Sequence, residues 1–442
     1  MDSMPNTPRS SSNSVVPTAP QLRSCLVRAV EMLGAGLVSH EGNQRLRSAL
    51  TSGALTPQSY YRQLLQVVYR LVFVFVAEDR ELLHPPDAQK SACDRYRSEY
   101  ATLRIRDLAA SGQHAAGTDL WNRVGVVFDA LADPNGSREL GLPHLGSLLW
   151  DPDATPDVSG SAKASDRLPT LLESDKLLEA MRCIACNSSI EPIDFRSIGF
   201  DPFGSIYESL LELVPDLDVP SGAFSLRPAD QSERKTSGSY YTPDSLVHFL
   251  LDAALEPLVD DRLLSVSIEP GADRDAHRGA NEQAILDITV CDPACGSGHF
   301  LVAAASRLAD RLQQFRARVF DRQKSLRDVI RNCIFGVDIN PMAVELCKAA
   351  LWFEYAEPGT PLSFLDHHIR VGNALLGATP ELIAAGIPDD TFKALDGSAR
   401  DIASFFRKRN NSGSEAHDEC QHQLPLVLTF IQLQWSSSES IF

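Results

Sequence analysis

The sequence has no long apolar stretch, no excess of positive charge and no patterned cysteines. Each lack excludes a class of protein. The best apolar run, Leu71–Ala77 (LVFVFVA), stops at Glu78-Asp79-Arg80 and falls far short of the ~20 residues needed to cross a bilayer. The opening segment, MDSMPNTPRSSSNSVVPTAP, has no apolar h-region, so residues 1–20 read as a disordered polar tail and not as a signal peptide. Lys and Arg total 41 against 58 Asp and Glu, a net charge of -17 at pH 7. A protein that coats nucleic acid indiscriminately needs a basic surface and is excluded, whereas an acidic enzyme with one local basic face is not. The 9 cysteines have no paired spacing and read as reduced thiols of a cytoplasmic protein, with no disulfide framework and no membrane partner.

What is present is ordinary globular material. The 442 residues are 43% hydrophobic and 22% charged, enough for roughly two or three domains with cores of their own. From about Leu22 the apolar spacing is helical, and Leu64, Leu65, Val68, Leu71, Val72 and Phe75 follow the i, i+3, i+4, i+7 pattern of a buried helix. Asp151–Asp166 reads as a surface loop, with shorter helices expected over Leu168–Met181 and, after the break Asp201-Pro202-Phe203-Gly204, over Ile206–Leu213. This predicts a mainly helical domain over 21–231.

The texture changes near Ser239. Thr242-Pro243 opens a helix running to about Leu255, with Pro243 at its first position, and the polar stretch Asp260–Gln283 reads as loop. Then come a strand, Ile285–Cys291, a helix from about Phe300 to Phe320, and a short helix around Leu326–Asn332. A second strand, Ile334–Val337, the helix Met342–Tyr355 and a third strand, His368–Val371, complete the set. That alternation is the mark of a parallel sheet with crossover helices, hence an α/β domain.

The chemistry concentrates in Asp292-Pro293-Ala294-Cys295-Gly296-Ser297-Gly298, a small-residue turn between a strand and a helix, where a ligand can lie against bare backbone. A phosphate-binding P-loop needs Lys and Ser/Thr after the last glycine, but His299 and Phe300 stand there. A dinucleotide fingerprint needs a third glycine where Leu301 stands. A nucleoside without a pyrophosphate fits better. S-adenosylmethionine is such a ligand, and its cationic amino group can pair with Asp292. Asp338 ends the next predicted strand, where an acid can accept ribose hydroxyls; the commoner role of an Asp at that place is a helix cap.

The combination of YYTP (Tyr240–Pro243), DPACGSGHFL (Asp292–Leu301), GVDINP (Gly336–Pro341) and VGNALLG (Val371–Gly377) resembles bacterial adenine-specific DNA methyltransferases, the Eco57I-like restriction-modification methylases in particular. The resemblance covers about 232–378, and LVFVFVAEDR and IYESLLEL are similar to the front part of the same large proteins. It implies a helical N-terminal domain followed by a doubly wound, Rossmann-like domain that binds S-adenosylmethionine, truncated, with an irregular tail over 379–442. It also implies that Tyr241, Thr242 and Pro243 close over the methionine end, that Asp292, Ala294, Gly296 and Gly298 line the methionyl and ribose portion, and that Asp338 holds the ribose hydroxyls. Ile339 is implied to lie against the adenine ring, and Asn373 to contact the cofactor adenine. The implied reaction is methyl transfer to the exocyclic amino group of an adenine rotated out of double-stranded DNA, in a restriction-modification or phage-defence system. The family's Asn-Pro-Pro-aromatic motif has no counterpart here, since the one Asn-Pro is Asn340-Pro341 in the ribose loop. No catalytic residue is therefore assigned. The chain is expected to be the cofactor-binding portion of a larger methylase, or a catalytically incomplete fragment or subunit completed by a second polypeptide.

Three weaker features read more plainly. Pro215-Asp216 with Glu233-Arg234-Lys235 matches a metal-dependent nuclease pattern only formally. Cys183 and Cys186 read as two buried thiols and not as half a zinc site, and His417, Cys420 and His422 lie in the polar tail, so no metal site is expected. The basic residues between Asp310 and Arg331 could track phosphates, but a solvated helix face is the commoner cause of such a run.

Overall fold

A computed structural model describes residues 17–160, 169–186, 192–196, 198, 201–228, 242–266, 274–316 and 322–374. Residues 1–16 of the tail expected over 1–20, the whole tail expected over 379–442, Tyr240, Tyr241, Glu233–Lys235 and Arg318 lie outside the described residues, whereas Ala19 and Pro20 already belong to the first helix. The front of the chain is helical: α1 (Ala19–Ser39), α2 (Gln44–Ser52), α3 (Pro57–Asp79), α4 (Lys90–Arg95), α5 (Thr102–Ser111), α6 (Asp119–Ala132), α7 (Ser174–Ala185) and α8 (Asp201–Leu211). A hairpin of β1 (Leu213–Asp218) and β2 (Ala223–Pro228) follows. The second part holds α9 (Asp244–Leu250), α10 (Glu256–Leu264), α11 (Arg274–Leu286), β3 (Val290–Asp292), α12 (His299–Gln313), α13 (Arg322–Cys333), β4 (Ile334–Asp338), α14 (Pro341–Tyr355) and β5 (Ile369–Val371).

Helix α3 organises the front. Thr56 caps it by accepting the Ser59 N–H, Pro57 sits in its first turn, and every residue from Gln63 to Ala77 is buried. A helix that is apolar nearly all round has to be surrounded. Its few polar side chains find fixed partners. The hydroxyls of Tyr60, Tyr61 and Tyr69 donate to the carbonyls of Gly34, Leu210 and Phe203, each at 2.8 Å, which ties α1 and both ends of α8 to it. Arg70 donates to the Leu149 carbonyl and to Thr155 Oγ1, while Gln63 pairs with Asp157. Over 151–160, its described part, this corrects the reading of 151–166 as a surface loop or linker: Thr155, Val158 and Gly160 are buried, because the segment supplies acceptors that the buried polar atoms of α3 require.

At the end of α3, Glu78 and Asp79 are buried around Arg106. The guanidinium lies 2.7 Å from Asp79 Oδ1 and 3.3 Å from Glu78 Oε2, with the rings of Phe75 and Phe195 at 4.7 and 5.5 Å. Glu78 also accepts the backbone N–H groups of Thr102 and Leu103 and so fixes the start of α5.

Strands β3, β4 and β5 pair in parallel in that order, with Val290 opposite Ile334 and Gly336 opposite Ile369. α12 and α13 connect the first pair and α14 the second, as the alternation of elements predicted. Among the described residues the sheet has three strands in sequence order and winds in one direction only; the mixed α/β class holds. α14 is tied to the front by Glu345, which accepts the Leu149 N–H, while Lys348 pairs with Glu345 and with Asp366 beyond the helix. Front and sheet belong to one compact unit, Met1–Val371; residues beyond it belong to a second. No described helix is long and apolar enough to cross a membrane.

Several expected boundaries are corrected. The polar stretch 260–283 is largely helix, since α10 runs to Leu264 and α11 spans Arg274–Leu286. Ile285 and Leu286 therefore end a helix, and β3 has only three residues. In α11 the buried side chain is Ile285 alone, too sparse a pattern for apolar periodicity to reveal, although Ala, Gln, Glu and Arg favour helix there. Asp201-Pro202 does not break a helix but opens α8, where a proline in the first turn costs little. Pro243 stands one position before α9, as its N-cap.

Removing the Arg106 side chain leaves two buried carboxylates without a counter-charge. Arg106→Ala is expected to cost about 3 kcal/mol or more, read from the urea unfolding midpoint, and Asp79→Asn in the same chain should recover part of the loss.

Candidate functional site

The candidate site is built where β3 and β4 end side by side. Beyond Asp292 the chain turns through Pro293–Gly298 into α12. Gly296 and Gly298 have φ of +51° and +89°, the left-handed region that favours glycine. A Cβ at Gly298 would stand 2.6 Å from Cys347 Sγ, and one at Gly296 would stand 2.8 Å from Glu208 Oε1. The turn is fixed from below by the Cys295 N–H donating to the Val337 carbonyl at 2.9 Å, and internally by the Gly298 N–H donating to the Cys295 carbonyl at 2.8 Å. Cys295 is buried against Cys347 and Gly336, and its thiol is pushed far up by its hydrogen bond with Cys347 and by burial. It packs the turn and is not a nucleophile.

Asp338 bridges the two strand ends. Its Oδ2 accepts the Gly296 N–H at 2.9 Å and its Oδ1 accepts the Asn340 N–H at 2.8 Å. The cap of α14 is a different residue: Asn340 Oδ1 accepts the Met342 N–H at 3.0 Å. That division settles the question raised by an Asp at a strand end, since capping is done by Asn340 and Asp338 holds the glycine turn. Ile339, between them, is 70% exposed. Asp292 Oδ1 accepts the Ala294 N–H at 3.0 Å, and its carboxyl is pushed up by burial and by the charge of Asp338.

A residue to which the sequence reading gave no role completes the cluster. Glu208 reaches from α8 to the turn, accepts the Ser297 N–H and lies against Gly296; burial, then the charge of Asp338, push its carboxyl up to about 7. The signal was present in IYESLLEL, where one acid stands among the buried residues Ile206, Tyr207 and Leu210. The structure thus gathers Asp292, Ala294, Gly296, Gly298, Asp338 and Ile339 and adds Glu208. Thr242 and Pro243 are exposed just before α9, and Asp244 lies 2.8 Å from Nε2 of His299, the first residue of α12. Tyr241 lies outside the described residues, and Asn373 belongs to the unit after Val371.

The basic run is committed within the fold. Arg311 pairs with Asp260, Arg316 with Asp328 at 2.7 Å and Arg322 with Asp310 at 2.7 Å. Cys183 and Cys186 are raised by burial, as expected of packed thiols, and the eight described cysteines are free. Pro215-Asp216 lies in the β1–β2 hairpin, and among the described residues no group of three His, Cys, Asp or Glu could hold a metal ion.

Gly298→Ala is expected to destabilise the chain by about 2 kcal/mol, from the left-handed backbone and the contact with Cys347. Cys347→Ala in the same chain should relieve the contact but not the backbone cost. Comparing the urea unfolding midpoints of the two single variants and the double variant separates these contributions.

Comparison with known proteins bears on this site. Residues 273–359, which contain the glycine turn, Asp338 and α14, match the family model of the MmeI DNA-methyltransferase domain. Over 350 residues the chain is 26% identical to a putative type II restriction enzyme and methyltransferase, RM.MjaORFECS2P, of Methanocaldococcus jannaschii, covering 70% of this chain and 27% of that protein. Over 367 residues it is 25% identical to the adenine-specific methyltransferase PglX of Streptomyces coelicolor, covering 79% of this chain and 25% of PglX. The chain therefore spans about a quarter of the length of these curated relatives. A solved structure of the Type IIL restriction-modification enzyme MmeI in complex with DNA aligns at 17% identity with a TM-score of 0.43, covering 79% of this chain and 40% of that one. The expectation drawn from Asp292–Leu301 and Gly336–Pro341 is thus met: the chain is related to the methyltransferases of restriction-modification systems.

Proposed function

We propose that this chain binds S-adenosylmethionine at the glycine turn and serves an adenine-specific DNA methyltransferase of a restriction-modification or phage-defence system in the cytoplasm, with double-stranded DNA as its partner. The observation that carries the reading is the Asp338 bridge. An acid at the end of β4 accepts the Gly296 N–H of the turn that follows β3, and so ties the two strand ends together at one edge of the sheet. The residues fit that cofactor. Gly296 and Gly298 leave a cradle that a Cβ would fill, Asp338 keeps acceptor capacity for ribose hydroxyls, and exposed Ile339 offers an apolar surface to an adenine ring. Asp292 and Glu208 make the rim negative, which suits a cation. The YYTP resemblance assigns Thr242 and Pro243, exposed just before α9, to the methionine end.

When bound, the cofactor supplies an electrophilic methyl group; the protein supplies position and charge. Methylation of an exocyclic amino group requires the adenine to leave the duplex stack, because that nitrogen is otherwise paired. Adenine as the target base rests on the four sequence motifs and on the name of PglX.

A second reading has its own observation. The one Asn-Pro of the sequence caps α14 through Asn340 and is not followed by a second proline, so the Asn-Pro-Pro-aromatic motif that the resemblance implies has no counterpart in it. On that reading the chain is the cofactor-binding part of a larger machine and acts with a second polypeptide.

Titration calorimetry with S-adenosylmethionine tests the site. Wild-type chain should bind, and Asp338→Ala should lose about tenfold or more in affinity, as expected when charge-assisted hydrogen bonds are removed. Absence of binding by the wild type defeats the assignment. Incubation with tritiated-methyl cofactor and duplex DNA, followed by nucleoside analysis, separates the two readings: label in N6-methyladenine with this chain alone rules out the dependent-subunit reading, and label in methylcytosine rules out adenine as target.

A further inference from the structure

Glu208 lies outside the segment matched to the methyltransferase domain and comes from the helical front. Its helix, α8, is held rigidly: α3 hydroxyls bind the carbonyls of Phe203 and Leu210 on either side of it. Gly204 packs directly on Ser297, leaving no room for a Cβ. The Tyr207 hydroxyl shares a hydrogen bond with the Asn340 side chain. One helix of the front therefore touches both loops of the candidate site, and Glu208 is the charge it delivers there.

We propose that Glu208 is a positioning and specificity-determining residue of the cofactor site: it holds the glycine turn through the Ser297 N–H, and its negative charge selects a sulfonium ligand over the neutral thioether left after methyl transfer. The inference rests on the reading that the turn binds S-adenosylmethionine. The titratable groups that act on Glu208 or feel it are Asp338 at the end of β4 and Tyr69 on α3; Asp292 is coupled to Asp338 in turn, and Tyr207 precedes Glu208 on its own helix. Burial raises both tyrosines, Tyr207 to about 12, so neither ionises near neutral pH. Burial, and then repulsion from Asp338, push the Glu208 carboxyl up to about 7. Because that value is raised above that of the unfolded chain, Glu208 stabilises the fold most at acid pH, and the benefit is lost as pH rises through about 7. A cation on the turn relieves the repulsion, so a sulfonium ligand binds best to the ionised form and displaces a proton. The thioether lacks that charge and gains less.

The test measures binding of S-adenosylmethionine and S-adenosylhomocysteine to the whole chain at about pH 6 and about pH 8. The preference for the sulfonium should rise by up to about tenfold across that interval, the effect of a one-unit shift in one carboxyl. Calorimetry of the wild type near pH 7 in two buffers of different ionisation heat should show proton release with S-adenosylmethionine and less with the thioether. In Glu208→Gln the preference should become flat with pH, while the unfolding midpoint at about pH 8 rises above wild type because a repelled charge is gone. If the wild-type preference is already flat, or Glu208→Gln keeps the same slope, the assignment to Glu208 fails while the cofactor site stands. If Glu208→Gln is less stable at both pH values and weakens both ligands equally, Glu208 is structural only and the inference fails. If neither ligand binds the wild type at any pH, the site reading falls and takes this inference with it.

Discussion

The hydrogen bond from the Gly296 N–H to the Asp338 carboxylate is the constraint on which the site depends. It joins loops that leave two neighbouring parallel strands, and it forms only because the register sets Asp292 opposite Gly336 and so brings both strand ends to one edge. A carboxylate accepting backbone N–H groups is a charge-assisted contact, stronger than a neutral one. Glycine at 296 and 298 is required by the same geometry, since the turn enters the left-handed region twice while packing on Cys347 and Glu208. Sheet pairing, turn shape and placement of the acids are therefore one structural decision.

The helical front takes part in that decision. α3 is buried along most of its length, and its hydroxyl and guanidinium groups are spent on backbone acceptors of neighbouring segments. Buried polar groups with fixed partners specify one arrangement, where a wholly apolar helix could slide. The arrangement they specify carries α8 to the glycine turn. The cost is visible at the turn, where three acids approach one another in the empty protein and two of them are raised by burial and mutual charge.

Charge is handled differently on the outer helices. Arg311, Arg316 and Arg322 form ion pairs with Asp260 on α10, Asp328 on α13 and Asp310 on α12, so these three charges are neutralised within the fold. With the overall charge at -17, nonspecific attraction to a phosphate backbone is weak over this part of the molecule.

Much of this was legible in the chain. The strand–turn–helix around Asp292–Gly298, the strand ending at Asp338 and the helix after Pro341 follow from small residues, β-branched runs and a proline at a helix start, all of them local signals. Where the reading failed, the signal was not local. α11 has a single buried side chain, so periodicity could not show it, and 151–160 is drawn inward by polar atoms of α3 some eighty residues away. The sequence by itself determined the glycine turn, the two strand-end acids and the relationship to restriction-modification methyltransferases. Only the tertiary structure decided that Asn340 caps while Asp338 bridges, and that Glu208 joins them, because which acid meets which N–H depends on strand register and on where a distant helix is packed.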